Sequence, residues 1–323
     1  MLEKGESSLK VARIDNIENM HSMDFPPLVM ALGYFDGVHL GHQKVIGEAK
    51  KVADELGIKT GVMTFDPHPS LVLSKEKKQI GLITSLDTKI AEMEKLGVDY
   101  LFIIHFTKEF AALEPQQFVD QYLVGLHAKH VVAGFDYTYG MKAAGTSETL
   151  EEHSRGQFGI TIINKETFEG EKVSSTLIRS HINTGAMDKI PMLLGRYYSI
   201  HGRVIHGDKR GRTIGFPTAN VEAAGEEIIP PKGVYAVKVL VDGKWYEGVC
   251  NVGTKPTFHP EKTVQSIEAH IFDFNQEIYD KTITIEWHIR IRSEKKFNGI
   301  QELVEQIAKD KQTAVEYFAT LNV

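Results

Sequence analysis

The strongest constraint on how this 323-residue chain can fold is a change in what separates its apolar runs. Before about residue 186, helical patterns stand between them; after it, short turns do. PLVMALGYF (27–35), KTGVMTF (59–65), DYLFIIHF (99–106), KHVVAGF (129–135) and GITIINK (159–165) read as strands. Between the first two, Val45, Ile46, Ala49, Val52, Ala53 and Leu56 recur at helical spacing, and Gly57 is placed to end that helix. Further helices are expected near 86–96 and 115–126. Strand and helix in alternation predict a Rossmann-like α/β domain, a parallel sheet with helices on both faces.

The later runs are YYSIHGRVI, GVYAVKVLV, KWYEGVCNV, SIEAHIFDF and KTITIEWHIRI, punctuated by Gly, Pro, Asn and Asp-Gly. Asp242-Gly243 between two such runs is a hairpin signal. A closing helix is expected over 299–319, with Ile300, Leu303, Val304, Ile307, Ala308, Ala314, Val315 and Phe318 on one apolar face. Asn298 and Gln301 have the spacing of an N-cap and its reciprocal partner. The second half is therefore expected to be an antiparallel barrel or sandwich with a terminal helix. Two domains, 1–186 and 187–323, suit a chain too long for one core.

Composition narrows the function classes. A formal net charge of −6 argues against non-specific coating of nucleic acid. The single cysteine, Cys250, permits neither an intrachain disulfide nor a CxxC metal site. The first residues, MLEKGESSLKVARIDN, lack the apolar segment of a secretory signal, and no run approaches a membrane span. A cytoplasmic protein with no nucleic-acid or membrane partner is the expectation, as a monomer or weak homo-oligomer.

GYFDGVHLGH (33–42) follows the first candidate strand and precedes a helix. A glycine-rich turn lets backbone approach an anion, and a helix N-terminus adds free N–H groups. His39 and His42 would donate hydrogen bonds to phosphoryl oxygens, and Gly41 would let the second histidine and the backbone share a crowded space. Metal ligation and simple packing remain open for the pair, although a metal site would call for a third ligand. VSSTLIRS (173–180) adds Ser174, Ser175, Thr176 and Arg179 just before an apparent helix. Hydroxyls with an arginine suit a triphosphate clamp; a capped surface helix would account for one of the hydroxyls.

HGDKRGRTIGFPTAN (206–220) holds a basic turn with two glycines, then a proline before Thr218 and Asn220. The turn is able to close over phosphates. A hydroxyl and an amide oxygen two residues apart, on one side of a strand, suit Mg²⁺ held largely by water and phosphate. A strand-edge turn with solvated charges is the plain alternative. In SIEAHIFDF, Glu268 shares a face with His270 and Phe272. As an inward barrel carboxylate it would be costly unless bonded or functional, whereas facing solvent it would need no explanation.

HxGH with a distant SSTxIR resembles the nucleotidyltransferase superfamily, and the FDG before it, TFDPHP (64–69) and AGFDYTYG (133–140) look like its flavin adenylyltransferase branch. That resemblance implies His39, His42 and Arg179 at the triphosphate of ATP, with Gly33, Phe35, Asp36, Gly37, Gly41, Asp136 and Ser174–Thr176 around the nucleotide. It implies Phe65, Pro67 and His68 facing the flavin. Where the commonest family form has Asn, Tyr34 stands; Thr138 replaces an Arg, and MKAAGTSE replaces a basic glycine-rich stretch. The second half resembles riboflavin kinases through LLGRYYSIHGRVIHGDKRGR, GFPTAN, GVYAV, NVGTKPTF, IEAHIFDFN and IRSEKKF, nearly all of 193–298. By that resemblance Thr218 and Asn220 hold Mg²⁺ with ATP, and Glu268 is the base on the ribityl 5′-hydroxyl. Gly207, Asp208, Lys209, Arg210, Gly211 and Arg212 form a nucleotide flap, with Gly215 and Pro217 beside it. Arg292, Glu294 and Phe297 lie near the flavin. Together the resemblances imply riboflavin phosphorylation to FMN and adenylylation of FMN to FAD, with ATP as co-substrate. The departures near 138–145 motivate a rival, a kinase with a weak or altered first domain. A flavin-responsive regulatory protein is a more distant one.

Overall fold

The structure, a computed structural model, describes residues 9–74, 81–207, 211, 214–255 and 264–321. The chain divides into two compact units, Met1–Ser175 and Thr176–Val323, a border that falls before residue 186.

The first unit is built on six strands: β1 (Lys10–Ile14), β2 (Leu28–Leu32), β3 (Lys59–Asp66), β4 (Tyr100–His105), β5 (Ala128–Gly134) and β6 (Gly159–Ile163). All pair in parallel, in the order β1-β4-β3-β2-β5-β6. Helices α1 (Leu40–Leu56) and α2 (Leu86–Lys95) follow β2 and precede β4, as the periodicity predicts. Alternation along β2 divides its side chains between two cores. Val29 and Ala31 pack with Val45, Ile46, Ala49, Ala53 and Met93. Leu28, Met30 and Leu32 pack with Phe118, Tyr122, Leu123 and Leu126 on the other face. The helix expected near 115–126 is an α-turn, Pro115–Phe118, continued as a π-helix over Val119–Val124. β1 was not expected from sequence: its first three residues, KVA, are not buried, and pairing with β4 at the sheet edge holds it.

Strand order reverses direction at β2, whose neighbours are β3 and β5. Ligands of open α/β sheets lie outside the carboxyl ends of strands at such a point. Both GYFDGVHLGH and AGFD emerge there, from β2 and β5.

The border falls after the first residue of α3 (Ser175–Thr184); the second unit carries the rest of that helix and forms a closed antiparallel barrel. Its strands are β7 (Tyr198–Ile205), β8 (Ala219–Ala223), β9 (Gly233–Val241), β10 (Lys244–Lys255), β11 (Val264–Ile271) and β12 (Thr282–Arg292), in the order β7-β8-β11-β10-β9-β12. Asp242 and Gly243 both adopt left-handed backbone, φ 48° and 79°, and join β9 to β10 as the hairpin signal predicts. Tyr198, Tyr235 and Trp287 fill the interior, the last two edge to face at 5.2 Å. The outer face of β9 and β10 is covered by α4 (Ile300–Leu321), through Ala314 and Phe318 against Val234, Ala236, Val249 and Phe272.

Two expectations for α4 are corrected. Ile300, Ala308 and Val315 are exposed, whereas Asp310 is 3% exposed. The buried stripe turned toward Asp310 because that carboxylate accepts three hydrogen bonds from Arg292 of β12, at 2.8–3.0 Å. The cap is also displaced. The helix begins at Ile300, so Glu302 rather than Gln301 reaches back to accept from the Asn298 backbone N–H, at 3.1 Å.

Candidate active sites

In the first unit the turn after β2 is held in backbone that L-residues rarely adopt: φ is 56° at Phe35, 84° at Gly37 and 43° at Val38. Gly33 permits this, since a Cβ there would lie 2.9 Å from the Phe35 ring folded back over it. The Asp36 carboxylate accepts from the Ile83 and Thr84 backbone N–H groups at 3.0 and 3.1 Å. Gly37 N–H donates to Thr84 Oγ1 at 3.1 Å, and Ser175 Oγ donates to the Asp36 carbonyl at 2.9 Å. Asp36 and Ser175, expected around the nucleotide, therefore spend these groups on fixing the turn. Such strain is kept where surrounding structure holds a geometry that function needs.

The turn delivers His39 to the N-cap of α1, where its Nδ1 accepts from the His42 backbone N–H at 3.2 Å. An accepting Nδ1 leaves the ring proton of neutral His39 on Nε2. The two imidazoles stack at 3.5 Å with 15° between planes, and Phe35 meets His42 edge-on at 5.2 Å. His42 Nδ1 is buried with no hydrogen-bond partner. Burial, then His39, Lys89 and Lys172, hold the His42 imidazole well below its usual pKa, so the ring is neutral at pH 7. Gly41 makes room for His39, not for His42 as expected: a Cβ there would lie 3.1 Å from His39 Cε1. The described residues contain no cluster of three or more His, Cys, Asp or Glu suited to a metal.

Around this pair the sequence expectations divide. Asp136, at the end of β5, is exposed and paired with Lys172, a cation the sequence reading passed over. Phe65 is 9% exposed and packs against Phe106 and Phe110 in the core cluster. Pro67 follows a cis peptide. His68 caps a short helix, its Nδ1 accepting from Ser70 N–H at 3.0 Å, and its ring meets Tyr34 at 4.2 Å. Ser174 directly precedes α3; Thr176 and Arg179 lie on that helix in the second unit, Thr176 exposed and Arg179 half-buried.

In the second unit, Asn220 of β8 sits opposite Glu268 of β11, and Glu268 opposite Asn251 of β10. Residues in register share a face, so the three line one row. The row lies on the barrel's outer side, since the alternate residues Ala269, Cys250 and Ile267 are buried within. Glu268 does share its face with His270, but that face is not the barrel interior. Asn251 was missed, because its partner is set by strand register alone. Gly207 is pressed against the Asn220 amide: a Cβ would lie 2.2 Å from Nδ2. A Cβ on Gly211 would lie 2.3 Å from the Phe216 carbonyl and 3.4 Å from Thr218 Oγ1. The two glycines thus form a cradle around the two expected metal ligands, with Gly215 in left-handed backbone at φ 85°.

A cavity of about 410 Å³ opens beside them, lined by Pro217, Thr218 and Ala219 and by Phe274–Tyr279. Of that segment, Phe274 and Asn275 end the IEAHIFDFN run quoted above, and the rest drew no attention in the sequence. Asp208, Lys209, Arg210 and Arg212 lie outside the described residues. Arg292 is committed to Asp310, and Phe297 stands between two cations, 5.6 Å from the Arg292 guanidinium and 5.5 Å from Lys295 Nζ. Arg292 thus ties β12 to α4. Glu294 is exposed, with Oε1 3.7 Å from where a Gly253 Cβ would stand.

Comparison with known proteins agrees with both halves. The family described as FAD synthetase matches residues 21–177, and that described as riboflavin kinase matches 194–318. A bifunctional riboflavin kinase/FMN adenylyltransferase of Bacillus subtilis (strain 168) is 55% identical over 294 residues, 91% of this chain and 93% of that protein. The Listeria monocytogenes protein of the same description is 50% identical over 91% of this chain and 93% of its own length. A solved structure described as a macrolide-efflux protein from Streptococcus pneumoniae superposes with TM-score 0.87 at 34% identity, over 94% of this chain and 98% of that one. Among the described residues, no helix here is long and apolar enough to cross a membrane. The stacked HxGH histidines at a strand-order reversal, the Asn220–Glu268 row beside a glycine cradle, and relatives alike over nine-tenths of their length lead to one assignment: the chain belongs to the family of bifunctional riboflavin kinase/FMN adenylyltransferases.

Proposed function

We propose that the first unit adenylylates FMN to FAD through His39 and His42, and that the second phosphorylates riboflavin to FMN through Glu268, Thr218 and Asn220. The observation that carries the first half is the His39 N-cap, which leaves the ring proton on Nε2 and makes it a donor. In the transfer, a phosphate oxygen of FMN attacks the α-phosphorus of ATP and pyrophosphate leaves. Charge gathers on the α-phosphoryl oxygens, where neutral imidazole donors and the N–H groups of α1 stabilise it without reorganising. In this reading Ser174 adds a hydroxyl to the triphosphate grip, and Asp136 with Lys172 borders the nucleotide.

In the kinase, Glu268 takes the proton of the ribityl 5′-hydroxyl as its oxygen attacks the γ-phosphorus and ADP leaves. The donor set fits Mg²⁺: a hydroxyl and an amide carbonyl are hard oxygens, and the lack of a Cβ at Gly207 and Gly211 lets backbone close in on both ligand-bearing residues. When bound, the cation neutralises charge on the transferred phosphoryl group. The cavity lined by Phe274–Tyr279 takes the nucleotide base.

The test supplies riboflavin, ATP and Mg²⁺ and separates flavins by chromatography over time. Glu268→Gln should abolish FMN formation while leaving added FMN convertible to FAD. His39→Ala or His42→Ala should do the reverse. One substitution that stops both steps in a folded protein would overturn the division of labour.

A further inference from the structure

A lysine that belongs to no motif is buried under the HxGH turn. Lys89, on α2, is 2% exposed. Its Nζ donates to the Tyr34 carbonyl at 2.8 Å and to Thr64 Oγ1 at 3.1 Å, and stands 4.0 Å from the Tyr34 ring centre. Thr64 Oγ1 donates to the same carbonyl at 2.7 Å. Tyr34 is the residue from which the chain enters the left-handed stretch Phe35–Val38. Its ring also meets His68.

A buried ammonium is a costly way to satisfy one carbonyl that a threonine hydroxyl already reaches. An apolar chain of the same length would fill the space at lower desolvation cost. The charge therefore has a use of its own, and the groups facing it show what that is. Asp36, from the turn, and Asp66, at the end of β3, favour the ammonium; His42, on α1, feels it as a repulsive charge. Lys89 thus binds the turn while adding positive potential where an anionic triphosphate would lie.

We propose that Lys89 is a positioning residue for adenylyl transfer: its buried ammonium fixes the turn that aims His39 and His42, and contributes positive charge beneath the ATP phosphates. This rests on the reading of His39 and His42 as the transfer site. Burial lowers the Lys89 ammonium to about 8, against the opposing pull of Asp36 and Asp66. As pH rises through that value the charge is lost, and FAD formation should fall with it.

The experiment measures kcat and KM for FMN-to-FAD conversion by the full chain from pH 6.5 to 9.5, with near-UV circular dichroism of each protein. Wild type should lose kcat several-fold between pH 7 and 9. Lys89→Arg, which cannot lose its proton in this range, should show no such fall. Lys89→Met should have kcat reduced about tenfold or more at pH 7, as expected for a misplaced catalytic pair, and likewise no fall near pH 8. A wild-type profile without the fall overturns the proposal, as does a fall that persists in Lys89→Arg, or wild-type kcat in Lys89→Met. Should Lys89→Met lose its near-UV signal, Lys89→Arg alone decides. His39→Ala and His42→Ala are assayed alongside. If they retain FAD formation, the site reading has failed; if they lose it while the Lys89 variants behave as wild type, the present inference alone has failed.

Discussion

Gly207→Ala separates a role in folding from a role in phosphoryl transfer. A Cβ at residue 207 would lie 2.2 Å from Asn220 Nδ2, 2.4 Å from Cγ and 2.7 Å from Oδ1. Every orientation of the amide clashes, so its assigned flip does not matter. Restoring ordinary contact, about 3.5 Å between carbons, requires the amide to retreat by roughly 1 Å. Asn220 is the end of a short side chain, so it can turn away for about 0.5–1.5 kcal/mol of rotamer cost. Unfolding by urea should therefore change by no more than about 1.5 kcal/mol. On the proposed reading of Asn220 as a Mg²⁺ ligand, however, the amide oxygen would no longer stand where the cation and the phosphates need it. A displacement of about 1 Å costs on the order of 100-fold in rate, or about 2.7 kcal/mol of transition-state stabilisation. The assay is riboflavin-to-FMN conversion, with conversion of added FMN to FAD in the same preparation as the internal control. Kinase turnover within about threefold of wild type would refute the reasoning, because Asn220 would then not be held at the reacting phosphates by this cradle. So would a fall in activity fully matched by lost stability.

Two further outcomes concern buried charge. Asp310→Ala should destabilise the second unit by about 3 kcal/mol in urea unfolding, since it strips the Arg292 guanidinium of its carboxylate partner in a largely buried pair. For Lys89, the folded-state pKa of about 8 lies below the ordinary 10.5. Between those values the unfolded chain holds a proton that the native chain has released. Stability should thus rise with pH across that window, by about 3 kcal/mol in all, and Lys89→Met should flatten the rise when unfolding is compared at pH 7.5 and 10.

Much of the site was legible as spacing. HxGH after an apolar run, PTAN after a basic turn and a glutamate within a strand each name a residue type in a local frame. What the residues do with their remaining groups was not legible. Asp36 lies in the right turn and Ser175 reaches it from the start of α3, yet the groups seen here brace the turn. Phe65 stands in the right strand, but its ring is packed in the core. Arg292 is held by Asp310, a partner on a helix eighteen residues downstream that no local pattern announces. Lys89 reads as one more solvated lysine in a helix rich in charge. Its carbonyl acceptor is fifty-five residues away, and no local pattern announces it.

The chemistry of both motifs was given by resemblance to known families; from the residue pattern alone followed the fold class of each half and the position of the Asp-Gly hairpin. These rest on the 3.6 and 2.0 periods and on turn residues, which act within a few positions of each other. Tertiary structure alone decided which face of a strand is covered and which distant groups meet. Alternation places Glu268 and His270 on one side, but closure of the barrel and the docking of α4 determine that this side is the outer one. The same long-range packing left His42 Nδ1 unpartnered and drove Lys89 out of water, because burial depends on what the rest of the chain lays over a residue.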